Sequence, residues 1–309
     1  MWRFDSHAFA GLPGESEEFG VRPKFYERSY RCGETTLALG HRTLIMGILN
    51  VTPDSFSDGG RYIEPDAAVK HALQMVADGA DMIDIGGEST RPGHEPVSED
   101  EELRRVIPVI QAIHQAAPHI VISIDTYKSE VARQALLAGA HIINDVWGAK
   151  ADPKMAAVAA EFGCPIILMH NRQDRNYSSF IDDIVADLQE SIAIAVRAGV
   201  AKENIILDPG VGFAKNHDEN LRVMRSLDRL IELGFPVLLA TSRKKFIRTT
   251  LDLPANDVIE GTAATAALGI AQGCQIIRVH DIAPLKRTID MCDAVMYSPK
   301  HITELDGEA

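Results

Sequence analysis

No run of apolar residues in the 309-residue chain approaches the roughly eighteen to twenty that a membrane-crossing helix needs, so no spanning helix is expected. Cysteine is scarce: Cys32, Cys164, Cys274 and Cys292 lie far apart, without the paired spacing of a zinc site or a disulfide framework. A reducing cytoplasm is the expected home. Positive charge is also in deficit, and a net charge of −13 leaves no basic footprint for a phosphate backbone, which argues against nucleic acid. A small anionic substrate is still admissible if a few local cations reverse the field inside its site, and Arg91, Lys244 and Arg278 are candidates. The first residues, Met1-Trp2-Arg3-Phe4-Asp5, have neither the basic start nor the apolar core of a secretory leader.

What is present is material for a large core, with 46% hydrophobic and 24% charged residues. Short apolar runs recur at 44–49, 81–86, 120–125, 141–145, 165–170, 204–208, 236–241 and 275–280, each followed by a segment of helical period. Val69, Leu73, Val76 and Ala77 share one helix face, as do Ile181, Ile184, Val185, Leu188 and Ile192. Ser129 reads as an N-cap, and Gly79, Gly139, Gly163, Gly199, Gly234 and Gly273 stand where helices should stop. Eight such β-then-α units predict a single closed α/β barrel, although an open doubly wound sheet gives a similar pattern. Residues 1–28 stay outside this rhythm and read as an N-terminal extension, with the barrel domain over 29–309. A hairpin over 30–41, turning at Gly33-Glu34, is placed to plug the barrel's floor.

Nearly every apolar run ends in a polar residue: Asn50, Glu88, Asp125, Asn144 and Asp145, His170, Asp208, Lys244, and then Arg278, His280 and Asp281. In a parallel barrel these ends gather at one mouth, where active sites of this architecture are built. Asp125 or Asp208 alone reads equally as a turn or cap residue. Together, carboxylates at neighbouring strand ends call for a ligand that supplies N–H groups, because a buried carboxylate without donors is costly.

The first strand runs into Asn50-Val51-Thr52-Pro53-Asp54-Ser55-Phe56-Ser57-Asp58-Gly59-Gly60, and the second into Asp84-Ile85-Gly86-Gly87-Glu88-Ser89-Thr90-Arg91-Pro92-Gly93. These two runs, in this order, resemble the signatures of the dihydropteroate synthase family of folate biosynthesis, and the likeness extends over about residues 30–295. The resemblance implies a (β/α)8 barrel, a TIM barrel, that condenses a (7,8-dihydropterin-6-yl)methyl diphosphate with p-aminobenzoate. By the same resemblance Asp208 and Asn144 hold the pyrimidine edge of the pterin, Lys244 its carbonyl side, and Asp125 lies near the dihydropyrazine nitrogens. Asn50, Arg278 and His280 match the diphosphate site, with Asn50 a ligand to Mg²⁺. Thr90, Arg91 and Pro92 match a mobile loop that closes with Asp54, Phe56 and Asp58 to form the p-aminobenzoate pocket, where Phe213 and Lys244 also stand. Asp58 and Arg91 join Asp125, Lys244, Arg278 and His280 as catalytic candidates. Lys245 departs from those relatives that carry a small hydroxyl residue after the pocket lysine. Sulfonamides, which copy p-aminobenzoate, are the inhibitors the family implies, and a dissociative, SN1-like order is its expected mechanism.

Two other readings stay open. A pterin-binding methyltransferase serving a corrinoid protein shares the barrel and the acidic pocket but lacks the first loop and the Arg-x-His pair. A catalytically silent homologue would act as a binding subunit. His280-Asp281 also resembles a fragment of a metal motif whose other ligands are not evident. Residues 257–273 predict a helix of small apolar residues buried on both sides, the second side against barrel strands or another subunit of a homodimer.

Overall fold

A computed structural model gives the structure of the chain, described over residues 23–52, 65–88 and 96–297. An antiparallel pair, β1 (Arg28–Cys32) and β2 (Thr35–Leu39), precedes the strands β3 (Leu44–Asn50), β4 (Met82–Gly86), β5 (Val121–Asp125), β6 (Ile142–Asp145), β7 (Ile166–Met169), β8 (Ile205–Asp208), β9 (Leu238–Leu239) and β10 (Ile276–Val279). These eight later strands form one parallel sheet in the order β8-β7-β6-β5-β4-β3-β10-β9, and a bridge between Leu207 and Val237 brings its two ends together. Around it run α1 (Pro65–Ala77), α2 (Glu99–Ala116), α3 (Ser129–Ala138), α4 (Met155–Phe162), α5 (Phe180–Arg197), α6 (His217–Met224), α7 (Asp228–Ile231), α8 (Lys245–Leu251), α9 (Ile259–Gln272) and α10 (Ile282–Met296). This is the TIM barrel the alternation predicts, and every predicted strand is present within a residue or two except β9, which is trimmed to two residues.

Side-chain parity divides the core in two. Ile45, Ile83, Ile122, Ile143, Leu168, Leu207 and Ile277 point outward into the shell of helices. Leu44, Met46, Met82, Val121, Ile142, Ile167, Ile206, Leu238 and Ile276 point inward and pack against Tyr30, Cys32, Leu37 and Leu39 of the hairpin. The hairpin therefore plugs the floor of the barrel, as its position in the chain suggests. Strands buried on both faces have no polar alternation, which is why they read as continuous apolar runs.

Two details differ from expectation. The inner face of α1 is Ala68, Ala72 and Met75, while Leu73 is 43% exposed. Small residues let that helix lie close to the strands, and Val69 and Val76 of the expected face pack half-buried at its edge. Ser129 opens α3 but does not cap it; its backbone N–H is taken by Asp152 Oδ2 at 2.8 Å, from the loop between β6 and α4. Within one copy of the chain, the helix predicted over 257–273 meets the barrel through Thr262, Ala266, Gly269 and Ile270 and leaves Leu268 57% exposed. A Cβ at Gly269 would come within 2.3 Å of Leu239, so the small residues serve packing against β9. Within segment 1–28, Tyr26 is tied to the barrel: Gln275 bonds its backbone on both sides, and its hydroxyl donates to Ile231 O at 2.6 Å. The six glycines predicted as helix stops, Gly79, Gly139, Gly163, Gly199, Gly234 and Gly273, all have positive φ, as such ends require.

Candidate active site

Parallel registry sets the mouth. Asn50 pairs with Gly86, Gly86 with Asp125, and Asp125 with Asn144, so one row crosses the ends of β3, β4, β5 and β6. Asp208 ends β8 beside Met169. Asp125, Asn144 and Asp208 are 7%, 4% and 3% exposed. Their inward direction follows from strand parity, which sends Ile142 and Ile206 inward two residues before Asn144 and Asp208, and Val121 inward four residues before Asp125.

Arg278, on β10, reaches across the lumen rather than out of it. Its Nε donates to Asp84 Oδ2 at 2.6 Å, and a terminal nitrogen donates to Asp125 Oδ2 at 2.7 Å. Asn144 Nδ2 donates to the same Asp84 oxygen at 2.9 Å. Asp84 is thus a hub that motif reading quoted but gave no role; the signal available was its parity with Met82. Burial outweighs Arg278 and pushes the Asp125 carboxyl up to about 7. Burial also raises Asp208, against the pull of Lys244. The second oxygens of Asp84 and Asp125 and the hydroxyl of Ser123 are buried with no partner among the described residues. Acceptors in that condition call for donors beyond the described residues.

Lys244 closes the other side. Its ammonium donates to the carbonyl of Val211 and lies 5.0 Å from the centre of the Phe213 ring. Burial lowers its pKa to about 8, with Asp208 opposing the shift. Lys245, next in sequence, is exposed at the first turn of α8. His280 Nδ1 stands 3.0 Å from Ser242 Oγ. Asp281 is held by Arg243, with Nε to Oδ2 at 3.0 Å. Asp145 faces away from the lumen and caps its own turn, accepting from Trp147 N and Ala149 N at 2.8 and 2.6 Å.

Phe56, Asp58, Thr90, Arg91 and Pro92, with Asp54, lie outside the described residues. The root of the second loop is described: Lys128 donates to Glu88 and to Glu102 at 2.5 Å each, and Arg105 donates to Gly87 O at 2.8 Å. Among the described residues no cluster of three or more His, Cys, Asp or Glu side chains could hold a metal. Half-buried Asn50 offers a single amide oxygen at the edge of the mouth, which suits a hard cation that keeps water and substrate oxygens as its other ligands. No helix among the described residues is long and apolar enough to cross a membrane.

A family model described as pterin binding enzyme matches residues 46–280. A dihydropteroate synthase of Bacillus subtilis (strain 168) is 59% identical over 262 residues, covering 85% of this chain and 92% of its own. A crystal structure of dihydropteroate synthase from Clostridium difficile in the presence of pteroic acid is similar with a TM-score of 0.81 and 50% identity, covering 83% of this chain and 97% of that one. The Xanthomonas albilineans dihydropteroate synthase with 4-aminobenzoic acid gives 0.84 and 39%, covering 89% and 100%. A Yersinia pestis dihydropteroate synthase, solved with a sulfonamide drug complex, gives 0.80 and 39%, covering 88% and 100%.

Proposed function

The chain belongs to the pterin-binding enzyme family, and we propose that its mouth joins a (7,8-dihydropterin-6-yl)methyl diphosphate to p-aminobenzoate, giving dihydropteroate and diphosphate. This is the dihydropteroate synthase reaction, a transferase step of folate biosynthesis. The observation that carries the reading is the set of buried acceptors on Asp84, Asp125 and Ser123 that the described chain leaves without donors, beside Asn144 and Asp208. A pterin supplies N–H groups on its amino and ring nitrogens.

In this reading Asp208 and Asn144 hold the pyrimidine edge and Lys244 the carbonyl side, while Asp125 faces the dihydropyrazine ring. The aniline nitrogen of p-aminobenzoate is already nucleophilic, so the chain's task is to draw charge off the leaving group and hold the partners in line. Arg278 and His280 receive the diphosphate. When Arg278 turns to it, Asp125 loses its cation and is left to stabilise positive charge on the pterin methylene, favouring a dissociative order. Mg²⁺, held by Asn50 and the diphosphate, would supply further neutralisation. Phe213 packs on the aminobenzoate ring, with Phe56, Thr90, Arg91 and Pro92 forming the rest of that pocket and Asp58 assisting from the first loop. Sulfonamides then compete with p-aminobenzoate. The exposed apolar side chains Leu268, Met291 and Val295 on α9 and α10 support a homodimer through that face, and the scattered free thiols favour a cytoplasmic home.

Isothermal titration of the pterin diphosphate with and without Mg²⁺, followed by release of diphosphate on adding p-aminobenzoate, tests the reading. Metal-assisted binding followed by stoichiometric release supports it. Binding of a pterin without release on adding p-aminobenzoate points to a silent homologue, and methyl transfer to a corrinoid in its place points to the methyltransferase.

A further inference from the structure

Lys215 lies beyond the site residues named above, seven positions after Asp208 on the loop leading to α6, yet it is only 9% exposed. Its Nζ meets three acceptors: His170 Nδ1 at 2.8 Å, Gly210 O at 2.9 Å and Phe213 O at 3.0 Å. An ammonium has one N–H for each of them, and it has no acceptor lone pair to leave over. Since His170 Nδ1 accepts, its proton sits on Nε2 and is donated to Asp187 Oδ2 at 2.9 Å. Arg172 fixes Asp187 from the other side at 2.5 Å, and these two donors hold its carboxyl below the usual range although burial works the other way.

The segment so held is the one that carries the pterin-facing groups. Asp208 heads it, with its Oδ1 accepting from Gly210 N at 2.7 Å and its carbonyl accepting from His170 N at 2.9 Å. Val211, whose carbonyl takes the Lys244 ammonium, is at its middle, and Phe213 is near its end. Gly210 has φ +64°, and a Cβ there would come within 1.9 Å of His170 O, so turn and histidine are in direct backbone contact. We propose that Lys215 is a positioning residue for the pterin: its tripod, backed by His170 and Asp187, sets the 208–213 turn so that Asp208 and Lys244 meet the ring together. The inference rests on the pterin reading and extends it to a group that touches no substrate. Burial of this lysine, which lowers its pKa to about 7, is the cost of placing a cation inside the turn rather than on the surface.

Lys215→Met keeps the length of the side chain and removes all three donors. A displaced turn is expected to raise the pterin dissociation constant and pterin KM by about tenfold to a hundredfold while kcat at saturation changes far less. His170→Leu should raise the same constant, and His170→Gln, which offers an acceptor toward Lys215 and a donor toward Asp187, should restore it. Parental pterin constants in Lys215→Met, with only a lowered melting temperature, would overturn the proposal. Should that variant not fold, parental pterin constants in His170→Leu would overturn it equally. Titration of the unsubstituted enzyme runs alongside: its failure to bind the pterin diphosphate would sink the pterin reading and this inference with it, whereas failure of the clamp alone leaves that binding intact.

Discussion

The two ends of the barrel lumen are built on the same strands and differ in nearly everything else. Met82, Val121, Ile142, Ile206 and Ile276 form an apolar floor under the hairpin. Two residues further along each of those strands stand Asp84, Ser123, Asn144, Asp208 and Arg278. A step of about 7 Å along a strand therefore separates groups that close-pack from groups that carry charge. The floor is closed by apolar side chains, with the Tyr30 hydroxyl buried there without a partner among the described residues; the mouth gathers several such groups, on Asp84, Ser123 and Asp125. Stability and ligand binding can accordingly be altered separately, one at each end.

The largest effect is expected at the floor. Leu39→Ala, at a side chain 1% exposed beneath the barrel, should cost about 2–5 kcal/mol in denaturant unfolding and leave pterin affinity at the parental value. Loss of pterin binding in the still-folded variant would break the division between the ends. Next comes Arg278→Lys, which keeps the charge but cannot span Asp84 and Asp125 as a fork; turnover should fall about a hundredfold, with a smaller change in pterin affinity. Turnover at the parental rate would assign Arg278 to structure alone. Asp208→Asn is expected to weaken pterin binding by about 1–3 kcal/mol, since an amide in place of the carboxylate leaves a ring N–H poorly paired. Calorimetry on that variant sharpens the comparison, because an unchanged pterin constant would move Asp208 out of the pocket.

Much of this was legible in the sequence for a definable reason. Parallel strands covered on both faces must be apolar throughout, so the runs at 44–49 through 275–280 marked the barrel, and their polar ends marked the mouth. Asp84 escaped because a quoted motif does not say which face a residue takes. Its parity with Met82 and Gly86 says so once the strand is fixed. Lys215 escaped for a different reason: nothing in Ala214-Lys215-Asn216 distinguishes a lysine folded into a turn from one in solvent, and its partner His170 is 45 residues away. The inner face of α1 escaped because alanine, not a large side chain, makes the close contacts there.

In the proposed reaction buried charge at the mouth performs the chemistry, and the pH dependence of kcat/KM for the pterin diphosphate tests this most directly. Burial raises the Asp125 carboxyl to about 7, so its carboxylate is lost as pH falls through that value; burial lowers the Lys244 ammonium to about 8, so its charge is lost as pH rises through that one. Because kcat/KM reports groups of the free enzyme, a bell is expected, its acidic limb set by Asp125 and its alkaline limb by Lys244 together with Lys215, whose ammonium burial lowers to about 7. In Asp125→Asn the acidic limb should disappear while the alkaline limb remains. An acidic limb unchanged by that substitution would contradict the account, because the titrating group would then not be the carboxylate at the centre of the mouth.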